Sequence, residues 1–322
     1  MDPGEGFEIT ANNDGIVVMQ TRNNTGTGVM TMHEVLPGII IAYNDFHMLE
    51  IKSGFSAKKE MFCIDHCREG RIEQKLRPGV FCYTGAGDLR IDNMQEHNTD
   101  FYFPLSHYHG ITIGFEPEEA GKSIRAVFPD FPVSIAGLRK RYCSKSGRFF
   151  IRNEPAIEHI FSELYHVPDG VKNHYLQIKI FELLLWLGGL EFTDSAEMKP
   201  YFYKSQTEKV KAVCTLISED LSRHYTVEKL AEQFKISVSA LKSCFKAVYG
   251  SSIYSFLRSA RMNRAATLLK TTNLSVAQVA SEVGYSNPSK FSAAFQKEIR
   301  ILPLEYRNAR EIEIQPVKDE II

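Results

Sequence analysis

The sequence predicts a multidomain α+β protein: an N-terminal antiparallel β-barrel or sandwich, then a helical segment, then an all-α domain holding two helix-turn-helix units. Three observations predict it. Residues 1–130 carry short apolar runs punctuated by turn residues. Beyond about residue 120 the apolar spacing becomes helical. Between Thr226 and Arg300 the chain repeats itself: Thr226-Val-Glu-Lys-Leu-Ala231 returns 49 residues later as Ser275-Val-Ala-Gln-Val-Ala280, and Leu241-Lys-Ser-Cys-Phe245 returns 50 residues later as Phe291-Ser-Ala-Ala-Phe295.

The strands come first. Gly38–Tyr43, Phe46–Ile51, Met61–Ile64 and Gly110–Phe115 read as strands, and Pro78-Gly79, Gly85-Ala-Gly87 and Glu116-Pro117 read as turns. Their spacing of about ten residues suits a small antiparallel barrel or sandwich. Helices are expected over Glu154–His166 and Lys172–Leu190. The second is apolar around most of its circumference, so it must be covered on more than one side, by the barrel or by a second copy of the chain. The expected organisation is a barrel over 1–130, a helical dimerisation segment over 131–198, a linker over 199–206, the doubled helix-turn-helix domain over 207–310, and a tail over 311–322.

Charge separates the two halves. The net charge of −1 combines 17 Lys/Arg against 8 Asp/Glu over residues 204–310 with 21 against 31 elsewhere. The repeated region is therefore a basic module at +9 attached to an acidic remainder at −10, and a basic face suits a polyanion. Residues 1–20 lack a basic start followed by an apolar run, and Phe181–Leu190 is about half the length a membrane span needs. Six dispersed cysteines do not make a disulfide framework. A cytoplasmic location without membrane attachment is expected.

Each repeat predicts a short helix, a tight turn and a second helix that presents a polar stripe. In the first, Thr226 and Ser237 are the expected caps, and Ser239, Lys242, Ser243 and Lys246 form the stripe. In the second, Ser275 and Gln278 form a capping box, Gly284 supplies the turn, Asn287 caps and Pro288 opens the helix. Its candidate contacts are Ser289, Lys290, Ser292, Gln296 and Lys297. A helix over 252–270 joins the units; its length of about 28 Å is compatible with two recognition helices about one DNA turn apart, ~34 Å. Such stripes can enter successive major grooves of duplex DNA.

Residues 226–307 resemble the AraC/XylS family of bacterial transcription regulators. The matching residues are Ser237, Leu241, Phe245-Lys246, Gly250, Arg261, Ala265, Leu268-Leu269, Val279-Ala280, Val283-Gly284-Tyr285, Ser289, Phe291, Phe295, Pro303 and Tyr306-Arg307. Gln296 departs from the family's usual basic residue and Arg300 from its usual glycine. With Pro288 and Ala293 also on the second recognition helix, the first unit is expected to carry more of the direct readout. The resemblance implies a homodimeric, ligand-responsive activator with a cupin-like N-terminal sensing domain, acting on promoter DNA with RNA polymerase. A weaker N-terminal resemblance, carried by Ile64-Asp-His-Cys67, Gly85-x-Gly87-Asp88 and Phe103–Ile113, is to regulators that include siderophore-responsive ones. A small-molecule effector is therefore expected, a siderophore among the candidates.

Tyr83, His107 and His109 are the candidate effector contacts. A cupin enzyme would use His107 and His109 with a following carboxylate such as Glu116 as metal ligands, but the glycine expected before the pair is Phe101. Cys63 and Cys67 share a strand face with no second pair at metal-ligand spacing. No nucleophile–base pair or phosphate-binding loop is present. The reading is thus no catalytic residue, no cofactor and no metal. The alternatives are a metal-dependent cupin enzyme with an accessory DNA-binding domain, and a ligand-independent repressor.

Overall fold

A computed structural model describes residues 6–13, 15–52, 61–93, 100–143, 148–152, 154–190 and 201–309. The chain divides into two compact units, Met1–Tyr203 and Lys204–Ile322.

The first unit is an antiparallel sheet curled into a half-barrel and covered by helices. Its strands are β1 (Glu8–Asn13), β2 (Ile16–Asn23), β3 (Gly26–Leu36), β4 (Ile39–His47), β5 (Glu50–Lys52), β6 (Phe62–Arg77), β7 (Val80–Gly85), β8 (Asp88–Asn93), β9 (Asp100–Tyr102) and β10 (Tyr108–Phe115). Helices α1 (Pro117–Val127) and α2 (Ile135–Cys143), strand β11 (Arg148–Arg152), helices α3 (Pro155–Leu164) and α4 (Lys172–Gly189), and strand β12 (Phe202–Tyr203) follow. The main path runs β1-β2-β3-β4-β10-β6-β7-β12. The long strand β6 makes the curl: its first half pairs with β10 and β8, and its second half with β7. The changeover lies at Gly70, whose φ is +82° and where a Cβ would come within 2.2 Å of the His107 carbonyl oxygen.

Alternation along the central strands buries Ile39, Ile41, Ile64, Ile91, Ile111 and Ile113 against Ile157, Ile160, Phe161 and Leu164 of α3 and Leu176, Ile180, Leu183, Leu184 and Leu187 of α4. The polar network is also central: Asp65 accepts from Arg90 Nη2 at 2.6 Å and from Thr112 Oγ1 at 2.5 Å, and Arg90 pairs with Asp92 at 3.3 Å.

The structure changes several expectations. Phe46–Ile51 is not one strand: β4 ends at His47, and β5 begins at Glu50 after a bend at the fully buried Met48. Of Met61–Ile64, Met61 precedes the strand and Phe62–Ile64 are only the start of β6, and Glu116-Pro117 is the cap and first residue of α1. The segment expected to be helical contains β11, which pairs with β8. The expected linker is structured where it is described: buried Phe202 pairs with Phe81, and Lys204 opens the next helix. Residues 199–200, and the tail over 311–322, lie outside the described residues.

Candidate nucleic-acid interface

The second unit contains α5 (Lys204–Glu219), α6 (Val227–Gln233), α7 (Val238–Tyr249), α8 (Ile253–Thr271), α9 (Val276–Glu282), α10 (Pro288–Ile299) and α11 (Pro303–Asn308). The repeated sequence becomes repeated structure, with α6–α7 as the first helix pair and α9–α10 as the second. Thr226 Oγ1 accepts from Lys229 N, and Ser275 with Gln278 forms the expected capping box at 3.2 and 2.8 Å. Both turns close with the same pair of hydrogen bonds. Lys235 N and Ile236 N donate to Glu232 O and Ala231 O; Gly284 N and Tyr285 N donate to Ser281 O and Ala280 O. The recognition helices α7 and α10 start at Ser237, which accepts from Ala240 N, and at Asn287, which accepts from Ser289 N and Lys290 N.

Buried aromatics hold the recognition helices. Phe245 meets Tyr249 and Phe256, and Phe295 meets Phe291 and Tyr306. Phe245, Phe291 and Phe295 are fully buried. The turn after α5 ties the two copies together. Asp220 Oδ1 accepts from Ser222 Oγ at 2.6 Å and from Ser222 N at 3.0 Å. These bonds, that from Ser222 Oγ foremost, hold the Asp220 carboxyl below its ordinary range. Arg261 of α8 donates to Leu221 O at 2.7 Å and Arg223 O at 2.9 Å. The Ser222 carbonyl then sits against Gly284, where a Cβ would come within 2.5 Å of it.

With the cores satisfied, Ser239, Lys242, Ser243 and Lys246 stand exposed on α7, as do Ser289, Lys290, Gln296 and Lys297 on α10. Ser292 differs: it is half-buried and its hydroxyl donates to Pro288 O at 2.9 Å. Helical spacing alone had placed it with the exposed set. On α7, Ser243 Oγ likewise donates to Ala240 O at 3.3 Å and Ser239 Oγ lies 3.3 Å from Ser237 Oγ, so the stripes differ at Ser292 in burial.

A protein-family model described as a helix-turn-helix domain matches residues 230–309. Over 116 residues the chain is 32% identical to the HTH-type transcriptional activator RhaR of Mannheimia succiniciproducens, covering 36% of this chain and 41% of that protein. It is 36% identical over 83 residues to the HTH-type transcriptional regulator AlkR of Acinetobacter baylyi, covering 26% and 27%. The C-terminal unit is an AraC/XylS-type helix-turn-helix domain. The arabinose operon regulatory protein of Salmonella typhimurium matches at 27% over 165 residues, covering 49% of this chain and 57% of that protein. The chain spans less than two thirds of the length of each of these relatives. Among solved structures, the C-terminal domain of AraT, a response regulator from Geobacillus stearothermophilus, is 32% identical, with 35% of this chain and 93% of that chain covered and a TM-score of 0.31.

In the first unit, the candidate effector contacts His107 and His109 are ring neighbours. Tyr83 on β7 is buried and donates to Glu73 Oε2 at 2.6 Å. His107 lies just before β10, with Nδ1 3.0 Å from Leu105 O, and its ring is 6.2 Å from that of His109. Burial lowers the His109 pKa, opposed by Asp45 and Glu69. Glu116 caps α1, seven residues or about 23 Å of strand beyond His109, so it does not join the two histidines as a ligand set. Cys63 and Cys67 are both buried, and burial pushes the Cys63 thiol well above its usual range. Asp45 and His47, which the sequence reading missed, lie beside His109. Among the described residues no helix is long and apolar enough to cross a membrane.

Proposed function

We propose that this chain is a sequence-specific, DNA-binding transcription regulator of promoter DNA, acting as an activator in contact with RNA polymerase. The observation that carries this reading is the pair of exposed stripes, Ser239/Lys242/Ser243/Lys246 and Ser289/Lys290/Gln296/Lys297, on two matched helix pairs within a basic unit. Lysines on a recognition helix reach guanine edges and phosphates, and the small hydroxyls allow close approach to the groove floor. The α7 stripe, with its two lysines and two exposed serines, carries more of the base readout. The α10 stripe, with Pro288, Ala293 and a half-buried Ser292, mainly positions the domain.

The N-terminal unit is a cupin-like sensing domain for a small-molecule effector, in a cytoplasmic regulator rather than an enzyme. Effector binding acts by favouring one arrangement of the regulator over another. Dimerisation runs along α4, supported by the exposed Ile178 and Leu185, seven residues apart on one face. Residues 1–130, 131–198 and 207–310 then divide the sensing, dimerising and DNA-binding roles.

The test is duplex binding as a function of salt. Log affinity should fall linearly with log salt, by roughly 0.9 per neutralised phosphate. Lys242→Ala should reduce that slope by about one. An affinity indifferent to salt would overturn the reading. Sedimentation of Ile178→Glu/Leu185→Glu tests the dimer, which should give way to monomer.

A further inference from the structure

A second constellation lies in the N-terminal unit, apart from the DNA-reading stripes. Asp45 and His47 are two residues apart on β4 and so share a face. In the register of the sheet, His109 of β10 stands directly opposite Asp45. Three donor atoms therefore converge. His47 Nε2 is 3.0 Å from Asp45 Oδ1, His109 Nε2 is 3.1 Å from the same oxygen, and the two Nε2 atoms are 3.3 Å apart.

Hydrogen bonding can satisfy any two edges of this triangle, the Nε2···Nε2 edge included when one ring is the Nδ1–H tautomer. It cannot satisfy all three at once, because the two Nε2 atoms carry at most two protons. One edge is then left as a contact between like partners. A bound cation satisfies all three edges at once. Ligand bonds of ~2.0–2.2 Å, held at tetrahedral or octahedral angles, place neighbouring donors roughly 2.8–3.6 Å apart. The backbone beneath is well braced, since β4 pairs with β3 and β10, and β10 pairs with β4 and β6. Glu69 of β6 is paired with His109 and adds negative charge, partly offset by Arg68 at 3.7 Å from it.

We propose that Asp45, His47 and His109 form a binding site for a divalent transition-metal cation. Two imidazoles and one carboxylate favour Zn(II), Co(II), Ni(II), Cu(II) or Fe(II) over the all-oxygen preference of Mg(II) and Ca(II). Asp45 and His47 are more than half exposed, with side-chain accessibilities of 56% and 61%. The remaining coordination positions therefore face solvent, open to water or a small chelating ligand. The site is independent of the DNA-binding reading, and its test requires no DNA.

The experiment is titration of the untagged 322-residue chain with Co(II), followed by visible absorption and competed with Zn(II). One equivalent should bind, giving a d–d spectrum without a thiolate charge-transfer band, and Zn(II) should displace it while Mg(II) and Ca(II) do not. Asp45→Asn, His47→Gln and His109→Gln should each weaken binding by ~10-fold or more. His224→Gln, an exposed histidine of the other unit, should leave it unchanged. Circular dichroism of each variant separates lost binding from lost folding, and the exposed Asp45 and His47 positions should tolerate substitution. Absence of a stoichiometric Co(II) site, a thiolate band, or affinities within twofold of the parent in folded His47→Gln and Asp45→Asn proteins would overturn the proposal.

Discussion

The two helix-turn-helix copies follow the same backbone path but place glycine at opposite ends of it. In the first, the turn residue with positive φ is Lys235 at 50°, and the recognition helix ends on Gly250 at 79°. In the second, the turn is Gly284 at 80°, and the helix ends on Arg300 at 71°. A side chain in this left-handed region costs roughly 1–2 kcal/mol, so each copy accepts that cost once. What decides the position is the neighbourhood. At 284 the Ser222 carbonyl excludes any Cβ. At 235 the side chain is exposed, and the residue's carbonyl accepts from Lys209 Nζ at 2.6 Å. At 300 an exposed guanidinium sits at the C-terminus of α10, where positive charge is favourable. Conformational strain is thus carried where a cation can project from the surface, and at 284 glycine stays because packing allows nothing else.

Four groups of substitutions probe this difference between the copies. The largest effect is expected from the core. Phe245→Ala and Phe295→Ala should each cost about 3–5 kcal/mol in denaturant unfolding of the chain, and a loss below 1 kcal/mol for either would mean the copies do not share one packing scheme. Gly284→Ala comes next, at about 2–3 kcal/mol, because strain and the Ser222 clash add; Lys235→Ala, with no such clash, should be near neutral. Arg300→Gly should stabilise the chain by about 1 kcal/mol while reducing the salt slope of DNA binding by about one if the guanidinium reaches a phosphate. A stabilised variant with unchanged binding would assign Arg300 no contact.

The smallest effect concerns pH. The Asp220 carboxyl titrates below its ordinary value of about 3.9. Its contribution is present above that value and lost as pH falls through the lower folded-state value. Asp220→Asn should therefore lower the neutral plateau of the Tm-versus-pH curve slightly and flatten its acid limb, with no change below the folded-state value. An unchanged acid limb would remove this carboxylate from the bracing of the 220–223 turn.

The helical half was the more legible in the sequence because its signals are local. Ser275 with Gln278, Asn287 before Pro288, and apolar residues three and four apart lie within a turn or two of what they specify. The sheet was harder. In β6, the buried Phe62–Cys67 run passes into Arg71-Ile-Glu-Gln-Lys-Leu-Arg77, so one strand reads as two unlike segments. β11 completes its pattern only against β8, more than 50 residues earlier. Asp45 and His47 show the alternation of a strand face, but their neighbour His109 is 62 residues from His47, and only the register of β4 on β10 brings them together. Ser292 failed for a different reason: helical spacing places a side chain on a face but does not reveal that its hydroxyl is taken by the preceding turn.

The most direct test of the central claim, that one basic unit reads duplex DNA through two unequal recognition helices, is selection of binding sites from a random duplex library by the full chain, with parallel selections for Ser239→Ala/Lys242→Ala and Ser289→Ala/Gln296→Ala. Two clusters of preferred bases about 10 base pairs apart are expected. The α7 substitutions should erase most of the preference in one cluster, and the α10 substitutions should lower affinity while leaving most of the preference in the other. A single cluster, or equal loss of preference from both pairs of substitutions, would contradict the account.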